Sequence, residues 1–450
     1  MYRFRNKYCI YLILWYYINE KELIRMSQNT VRISEIELNG FKNTQYGRIE
    51  VPSTIDKNYF SGSSDILGIY GQNGSGKTAV IEAMDFAQKL LTGQPLPRET
   101  VKYISKEVEN CTITVTFIIQ TEDKKLRAEY EVQLNRTSKN ELEIAREALR
   151  AAIWNGEDFD RKRTFIDYEL HSDGTVLFFP KYRFEELMQI DEENRVNLGV
   201  AKKISQKALV SFIFSEEGRA VFLSASGSVS EDYAYIIDAL YEFACMNLFV
   251  ISNAHAGAIS MNFLIPFSFR LEHDHRIAKG DLPIRLDEPS VIGDEELAIV
   301  QHIASEMNVV LGTMIPGLSI GVHDFGEQLL ENGSTGHKIE LVSKRGEVTI
   351  PLKYESEGII KIISILNALM CVYNNSSMCL IIDELDSGIY EYLLGELLSV
   401  FEKGAKGQLI FTSHNLRALE MLNKNSIVFS TTNPFNRYMR LKNVKRNNNM

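Results

Sequence analysis

Apolar positions recur along this chain in two spacings, one of two residues and one of three to four, and they mark out its elements. At residues 30–41, TVRISEIELNGF puts Val31, Ile33, Ile36 and Leu38 in strand register, with a change of phase near Glu35. DILGIY at 65–70 predicts a short strand, and TAVIEAMDFAQKLL at 78–91 returns Val80, Ile81, Met84, Ala87, Gln88 and Leu91 at helical spacing. CTITVTFIIQ and RAEYEVQL, parted by the polar TEDKK, predict two paired strands over 109–135. TFIDYELHSDGTVLFF adds a further β-like stretch after a charged segment. Between Pro180 and Pro316 the pattern turns helical, most clearly in EDYAYIIDALYEFACMNLFVI and DEELAIVQHIASEMNVVLGTM. Strands return as SIGVHDF, HKIELVS and EVTIPLKY, and a helix starts near Ser356. MCLIID, YLLGELLSVFEK, QLIFTS and SIVFST then alternate continuous apolar strands with helices, the pattern of a parallel α/β sheet covered on both faces. Sustained heptads are missing, which argues against a long coiled-coil arm.

The first residues stand apart. Tyr8 to Ile18 form an aromatic and aliphatic run behind the basic MYRFRNK, resembling a signal peptide in outline. The run is shorter than the roughly 20 residues a spanning helix needs, and no small-residue cleavage site follows it. Residues 1–26 therefore read as an extension, with Met26 the more natural start and a membrane or partner anchor the lesser reading.

With 450 residues, 45% of them hydrophobic, the chain can build one large domain or several ordinary ones. A net charge of −10 argues against a general nucleic-acid coat, so DNA contact would be local, at REALRAAIW or RLKNVKR. The five cysteines, Cys9, Cys111, Cys245, Cys371 and Cys379, form no CxxC pair, which suits a reducing cytoplasm. His273, Asp274 and His275 sit in a charged stretch and read as solvent-facing rather than metal-binding.

Chemistry enters at Gly71-Gln72-Asn73-Gly74-Ser75-Gly76-Lys77-Thr78, which matches the phosphate-loop pattern with a strand before it and a helix after. Glycines let backbone N–H groups converge on phosphate oxygens, and the helix N-terminus favours negative charge. Lys77 is placed to reach the β- and γ-phosphates of ATP, and the Thr78 hydroxyl to ligate Mg²⁺. The acidic half of such a site is CLIIDE, where Asp383 ends a buried strand as the Mg²⁺ residue. Glu384, one position on, is the candidate for polarising the attacking water.

Asp386 follows two residues later, and IFTSHN puts His414 at the end of the next strand. This order of motifs resembles the ATP-binding-cassette (ABC) ATPases, specifically their RecF/SMC-like branch, as does IELNGFKN with Phe41 and Lys42. The resemblance implies an α/β P-loop NTPase of ABC/RecF-like type, a mixed sheet flanked by helices with a large, mainly helical central insertion. It implies Glu384 as catalytic base, Asp386 as a contact across a dimer and His414 as a switch histidine sensing γ-phosphate. It also calls for a signature loop donated to the partner's nucleotide, for which Ser356 and Gly358 in YESEGIIKIISILNAL are the candidates. This loop departs from the transporter LSGGQ, and the degenerate Ser-x-Gly resembles compact bacterial ATPases of the OLD and RloA/AbiL-like phage-defence type.

The motifs cover residues 30–91 and 353–430; the glutamine that such ATPases carry is left between Gln120 and Gln206. The expected organisation is an extension at 1–26, an N-terminal ATPase lobe at 27–180, the insertion at 181–318 and a C-terminal lobe at 319–450. Only 36 residues follow His414, too few for the Toprim nuclease domain of OLD proteins. The expected function is an ATP-hydrolysing switch that forms a homodimer or larger homo-oligomer and acts with a separate effector in phage defence. A DNA-clamping repair ATPase is the alternative, and a membrane partner is not expected.

Overall fold

The computed structural model describes residues 29–171, 175–190, 192–224, 231–252, 264–273, 276–329, 333–415 and 420–440. The extension at 1–26, Asp274, His275 and the basic tail beyond Arg440 lie outside the described residues.

β1 (Thr30–Phe41) and β2 (Thr44–Glu50) form a hairpin, and β3 (Asp65–Tyr70) leads through the glycine loop into α1 (Lys77–Leu91). β4 (Asn110–Gln120), β5 (Lys125–Arg136), β6 (Leu142–Ile153), β7 (Arg163–Leu170) and β8 (Val176–Phe179) then extend the hairpin into a seven-stranded sheet of order β2-β1-β4-β5-β6-β7-β8. The change of phase near Glu35 is a bulge between Ile33 and Glu35, where the pairing of β1 with β4 shifts. Along β5, buried and half-buried residues alternate, so one face meets the core while the other carries charge.

β6 is a strand that the sequence did not announce, because LEIAREALRAAI is rich in good helix formers. It forms between two strands, β5 pairing along its whole length on one side and β7 along Arg146 to Ala151 on the other. Its arginines are spent within the sheet: Arg150 bonds Glu129 and Glu131 at 3.0 Å each, and Arg146 bonds Asp167 at 2.7 Å. REALRAAIW is therefore an internally neutralised ladder rather than a basic patch open to phosphate.

The segment 181–318 is mainly helical, as expected, but it also carries strands. It holds α2 (Lys181–Ile190), α3 (Glu192–Ala208), α4 (Glu216–Ser224), α5 (Glu231–Glu242) and α6 (Asp294–Met314), but also strands β9 (Leu248–Ile251), β10 (Leu264–His273), β11 (Arg276–Arg285) and β12 (Ser290–Gly293). The helical reading of 231–251 fails at its end, because Leu248 to Ile251 find an open strand edge to pair with in parallel. β10 and β11 make a separate hairpin, whereas β12 joins β13 (Leu318–Leu329), β14 (Thr335–Arg345) and β15 (Val348–Pro351) in a small antiparallel sheet.

The closing elements are α7 (Glu357–Asn374), β16 (Cys379–Ile382), α8 (Glu391–Gly404), β17 (Gln408–Ser413), β18 (Ile427–Ser430) and β19 (Tyr438–Met439). The central sheet runs β19-β18-β3-β17-β16-β9, parallel except for β19, and so is mixed. Its strands are apolar on both faces because both are covered. Leu67, Ile69, Ile381 and Ile410 pack with α1 and the antiparallel sheet, while Ile66, Leu380, Ile382, Leu409 and Phe411 pack with α7 and α8. α7 is long and apolar enough by composition to cross a membrane, yet its Ile360, Ile362, Ile363, Leu366 and Leu369 lie buried in this core.

One buried polar cluster clamps the two sheets together. Arg32 of β1 pairs with Asp65 of β3 at 3.0 Å, and Gln408 of β17 bonds the Ile33 N–H and carbonyl at 2.7 Å each. Ser53 completes the cluster by donating to both carboxylate oxygens of Asp65. Every charge buried there has a counter-charge or hydrogen-bond partner, as burial requires.

Candidate nucleotide site

The glycine loop leaves β3 and turns back into α1 through two left-handed residues, Gly74 at φ +77° and Gly76 at φ +96°. A side chain at Gly76 would be strained by its φ and would approach the Arg437 side chain to 3.0 Å. Ser75 is buried and bonds the Gln72 carbonyl at 2.7 Å and the Ser430 hydroxyl, tying the loop to the end of β18. Tyr438 donates to the Gly76 carbonyl at 2.8 Å, Asn43 to that of Gly74 at 2.5 Å, and Arg437 to the Asn43 carbonyl. The loop is thus held from outside by the β1–β2 turn and the last strands.

Lys77 is buried at the first turn of α1, and its ammonium donates to the carbonyls of Gly71 at 2.8 Å and Gln72 at 3.1 Å. Burial pulls its pKa down, while the carboxylates of Asp383, Glu384 and Asp386 push it back up. Facing it are the ends of β16 and β17. β17 lies between β3 and β16, so Thr412 to His414 emerge between the loop and the acidic pair. Lys42, Asn43, Asn73, Gly74, Gly76, Lys77, Thr78, Ala79, Glu384 and His414 line one cleft there.

Asp383 is buried and its Oδ1 accepts from Thr412 Oγ1 at 2.6 Å, with Thr78 Oγ1 at 3.5 Å. Its Oδ2 is buried with no hydrogen-bond partner. A buried carboxylate oxygen left open beside a threonine hydroxyl is a hard-oxygen donor set, and it fits Mg²⁺. Asp383 and Thr78 would hold that ion, which when bound neutralises charge building on transferring phosphate oxygens.

Glu384 has φ +48°, a left-handed conformation that a side-chain-bearing residue adopts only when its surroundings impose it. Those surroundings are visible at both ends of the residue. Its N–H donates to Thr412 Oγ1 at 2.7 Å, and its carbonyl accepts from the Lys361 ammonium at 2.5 Å and from the Ser387 N–H at 3.0 Å. Glu384 lines the cleft. Asp386 accepts the His414 N–H at 2.9 Å through Oδ2, and its Oδ1 is buried without a partner.

The structure brings together Gly74, Gly76, Lys77, Thr78, Asn73, Asp383, Glu384 and His414, with Asp386 behind them. It does not bring Ser356 or Gly358 into this cleft. Ser356 caps α7, and Gly358 abuts Gly388, whose carbonyl would lie 2.2 Å from a Cβ at Gly358. Gln120 ends β4 beside Thr30 and Arg32, and Gln206 lies in α3; neither lines the nucleotide cleft. Thr412, Asn43, Arg437 and Tyr438 were not singled out from the sequence. Thr412 left one signal, a polar residue closing the otherwise apolar QLIFTS beside the acidic strand.

Residues 35–232 match the family model of the AAA domain. No curated protein matches the chain. Among solved structures it is similar to an SMC head bound to the C-terminal winged-helix domain of ScpA, at 13% identity and a TM-score of 0.44, covering 92% of this chain and 98% of that one. A Pyrococcus furiosus SMC head with an extended coiled coil bound to the C-terminal domain of ScpA follows at 14% identity and a TM-score of 0.39, with 91% and 96% covered. The SMC head domain from Thermotoga maritima gives 12% identity and a TM-score of 0.39, with 91% and 99% covered. The match across the glycine loop and the α/β sheet that carries it define a P-loop NTPase fold. Its site is that of a P-loop ATPase.

Proposed function

We propose that this chain is an ATP-hydrolysing switch of ABC type that closes into a homodimer on ATP, each site completed by the partner's Ser356 and Gly358. The observation that carries the reading is a division of residues. Lys77, Thr78, Asp383, Glu384 and His414 meet at one cleft, while the helix N-terminus at Ser356 and Gly358 lies outside its lining. A helix end of this kind supplies converging N–H groups to an anion, which within a single chain would go unused.

In the closed state Lys77 and the loop N–H groups hold the phosphates, and Glu384 takes the proton of the attacking water. His414 lines the same cleft as Lys77 and Glu384, so a contact from it to the γ-phosphate would exist with ATP and be lost with ADP. ATP favours the dimer by binding the closed form more tightly, and hydrolysis releases it.

For the output we favour the sensor of a cytoplasmic phage-defence system acting through a separate effector, on the strength of the degenerate signature and the absence of heptads. DNA clamping is the second reading, although the arginines of β6 are paired with carboxylates of the same sheet. The test is Glu384→Gln. Turnover should fall by about 100-fold or more, ATP affinity should persist, and mass measured with ATP should show a trapped dimer or larger assembly. Unchanged turnover in a monomer would sink the proposal, and capture of the trapped form would show whether DNA or a protein accompanies it.

A further inference from the structure

Lys361 lies one turn beyond Gly358 on α7 and is only half-buried, yet its ammonium points inward to the Glu384 carbonyl. Two contacts thus join the start of α7 to the turn 384–388: Lys361 on Glu384, and the bare Cα of Gly358 against Gly388. Gly388 is itself left-handed at φ +75°, so the turn begins and ends on left-handed residues, each touched by α7. Burial pulls the pKa of this ammonium down to about 8, against the carboxylates of Asp386, Glu384 and Asp383, which favour its charge. A lysine so placed is a poor choice for packing alone, because desolvating an ammonium is costly and an apolar side chain would fill the same space.

We infer that Lys361 is a positioning residue that couples two nucleotide sites by tying the left-handed Glu384 to the helix whose N-terminus serves the partner's nucleotide. The inference rests on the dimeric reading above. When the partner's phosphate seats α7, Lys361 fixes the Glu384 carbonyl, and Thr412 already fixes its N–H. With both ends held, the carboxylate of Glu384 is aimed at its own water. With α7 unseated, one anchor slackens and the twist relaxes toward an unstrained conformation. Each site then hydrolyses efficiently only when its neighbour is filled.

The experiment compares wild type, Lys361→Met and Lys361→Arg over a range of ATP concentrations, with mass measured in parallel. Lys361→Met should keep the affinity for a fluorescent ATP analogue within about 2-fold, lower kcat by about 10- to 100-fold and bring the Hill coefficient of turnover toward one. Lys361→Arg, which keeps the donor, should recover at least part of both. A wild-type chain that stays monomeric with ATP overturns the dimeric reading and this inference together. A dimer in which Lys361→Met leaves kcat and cooperativity untouched overturns the inference alone. Should Lys361→Met fail to fold, amide exchange in the wild-type chain decides. ATP must protect the turn 384–388 and the first turn of α7 together, and protection of one without the other overturns the coupling.

Discussion

Thr412 Oγ1 donates to Asp383 Oδ1 at 2.6 Å and accepts the Glu384 N–H at 2.7 Å, so one hydroxyl orders the two acidic residues. Replacing it with valine keeps the shape and deletes both bonds. Thr412→Val should cost about 1–3 kcal/mol of stability, because a buried carboxylate oxygen and a strained amide lose their partner. It should also raise the Mg²⁺ concentration needed for half-maximal turnover, whereas Thr412→Ser should preserve it. Turnover measured against Mg²⁺ checks both; a valine variant with an unshifted Mg²⁺ curve would show that Asp383 needs no help from β17.

Gly358 tolerates no side chain, since a Cβ there would stand 2.2 Å from the Gly388 carbonyl, which is backbone and cannot swing aside. Gly358→Ala should therefore push α7 off the turn at 384–388, at a cost of about 1–3 kcal/mol. Nucleotide binding to the monomer should survive, because Gly358 lies outside the cleft, while the ATP-dependent change in mass is lost. Calorimetry with a slowly hydrolysed ATP analogue and light scattering separate the two effects.

How much of this was legible beforehand differs by link. The phosphate loop and CLIIDE carry their chemistry in local spacing, and each landed where its pattern put it. β9 was expected to be helical and β6 was not expected at all, for the opposite reason: NLFVI and LEIAREALRAAI are locally compatible with helix, and only distant edges, β16 for one and β5 with β7 for the other, make them strands. Thr412 escaped notice because its role depends on β17 lying between β3 and β16, a fact of sheet order that spacing does not encode. Lys361 is likewise one lysine in an apolar helix until the turn beside it is known.

Tyr438 bonds the Gly76 carbonyl at 2.8 Å while its ring lies against Gly47, where a Cβ would come within 2.5 Å of ring carbons. Tyr438→Phe should keep the packing and free that carbonyl. The lost bond is worth about 1 kcal/mol, so binding of a fluorescent ATP analogue should weaken about 3- to 10-fold. Binding at wild-type strength would show that the loop keeps its shape without β19.

Glu147 is wholly buried, accepting Tyr130 Oη at 2.6 Å, Ser211 Oγ at 2.7 Å and the Phe212 N–H at 2.5 Å. Burial raises its pKa above 4.5, against the pull of these donors. Between the ordinary carboxyl value and the raised one, the native chain holds a proton that the unfolded chain has released. Stability from this group therefore falls as pH rises through that window. Wild type should lose melting temperature relative to Glu147→Gln as pH rises above the ordinary carboxyl range; a constant difference would show that burial does not shift Glu147.

The strands flanking β3 in the nucleotide sheet, β17 and β18, begin only at Gln408 and Ile427. The antiparallel sheet, by contrast, has all seven of its strands by Phe179. During synthesis those strands emerge long before the loop at 71–78 has neighbours on either side. A message cut short before Gln408 would yield a chain with β3 exposed along both edges, prone to pairing with other chains and without an assembled ATP site. Synthesis of β17 and β18 thus acts as a licence: a copy without them has no assembled place for the fuel.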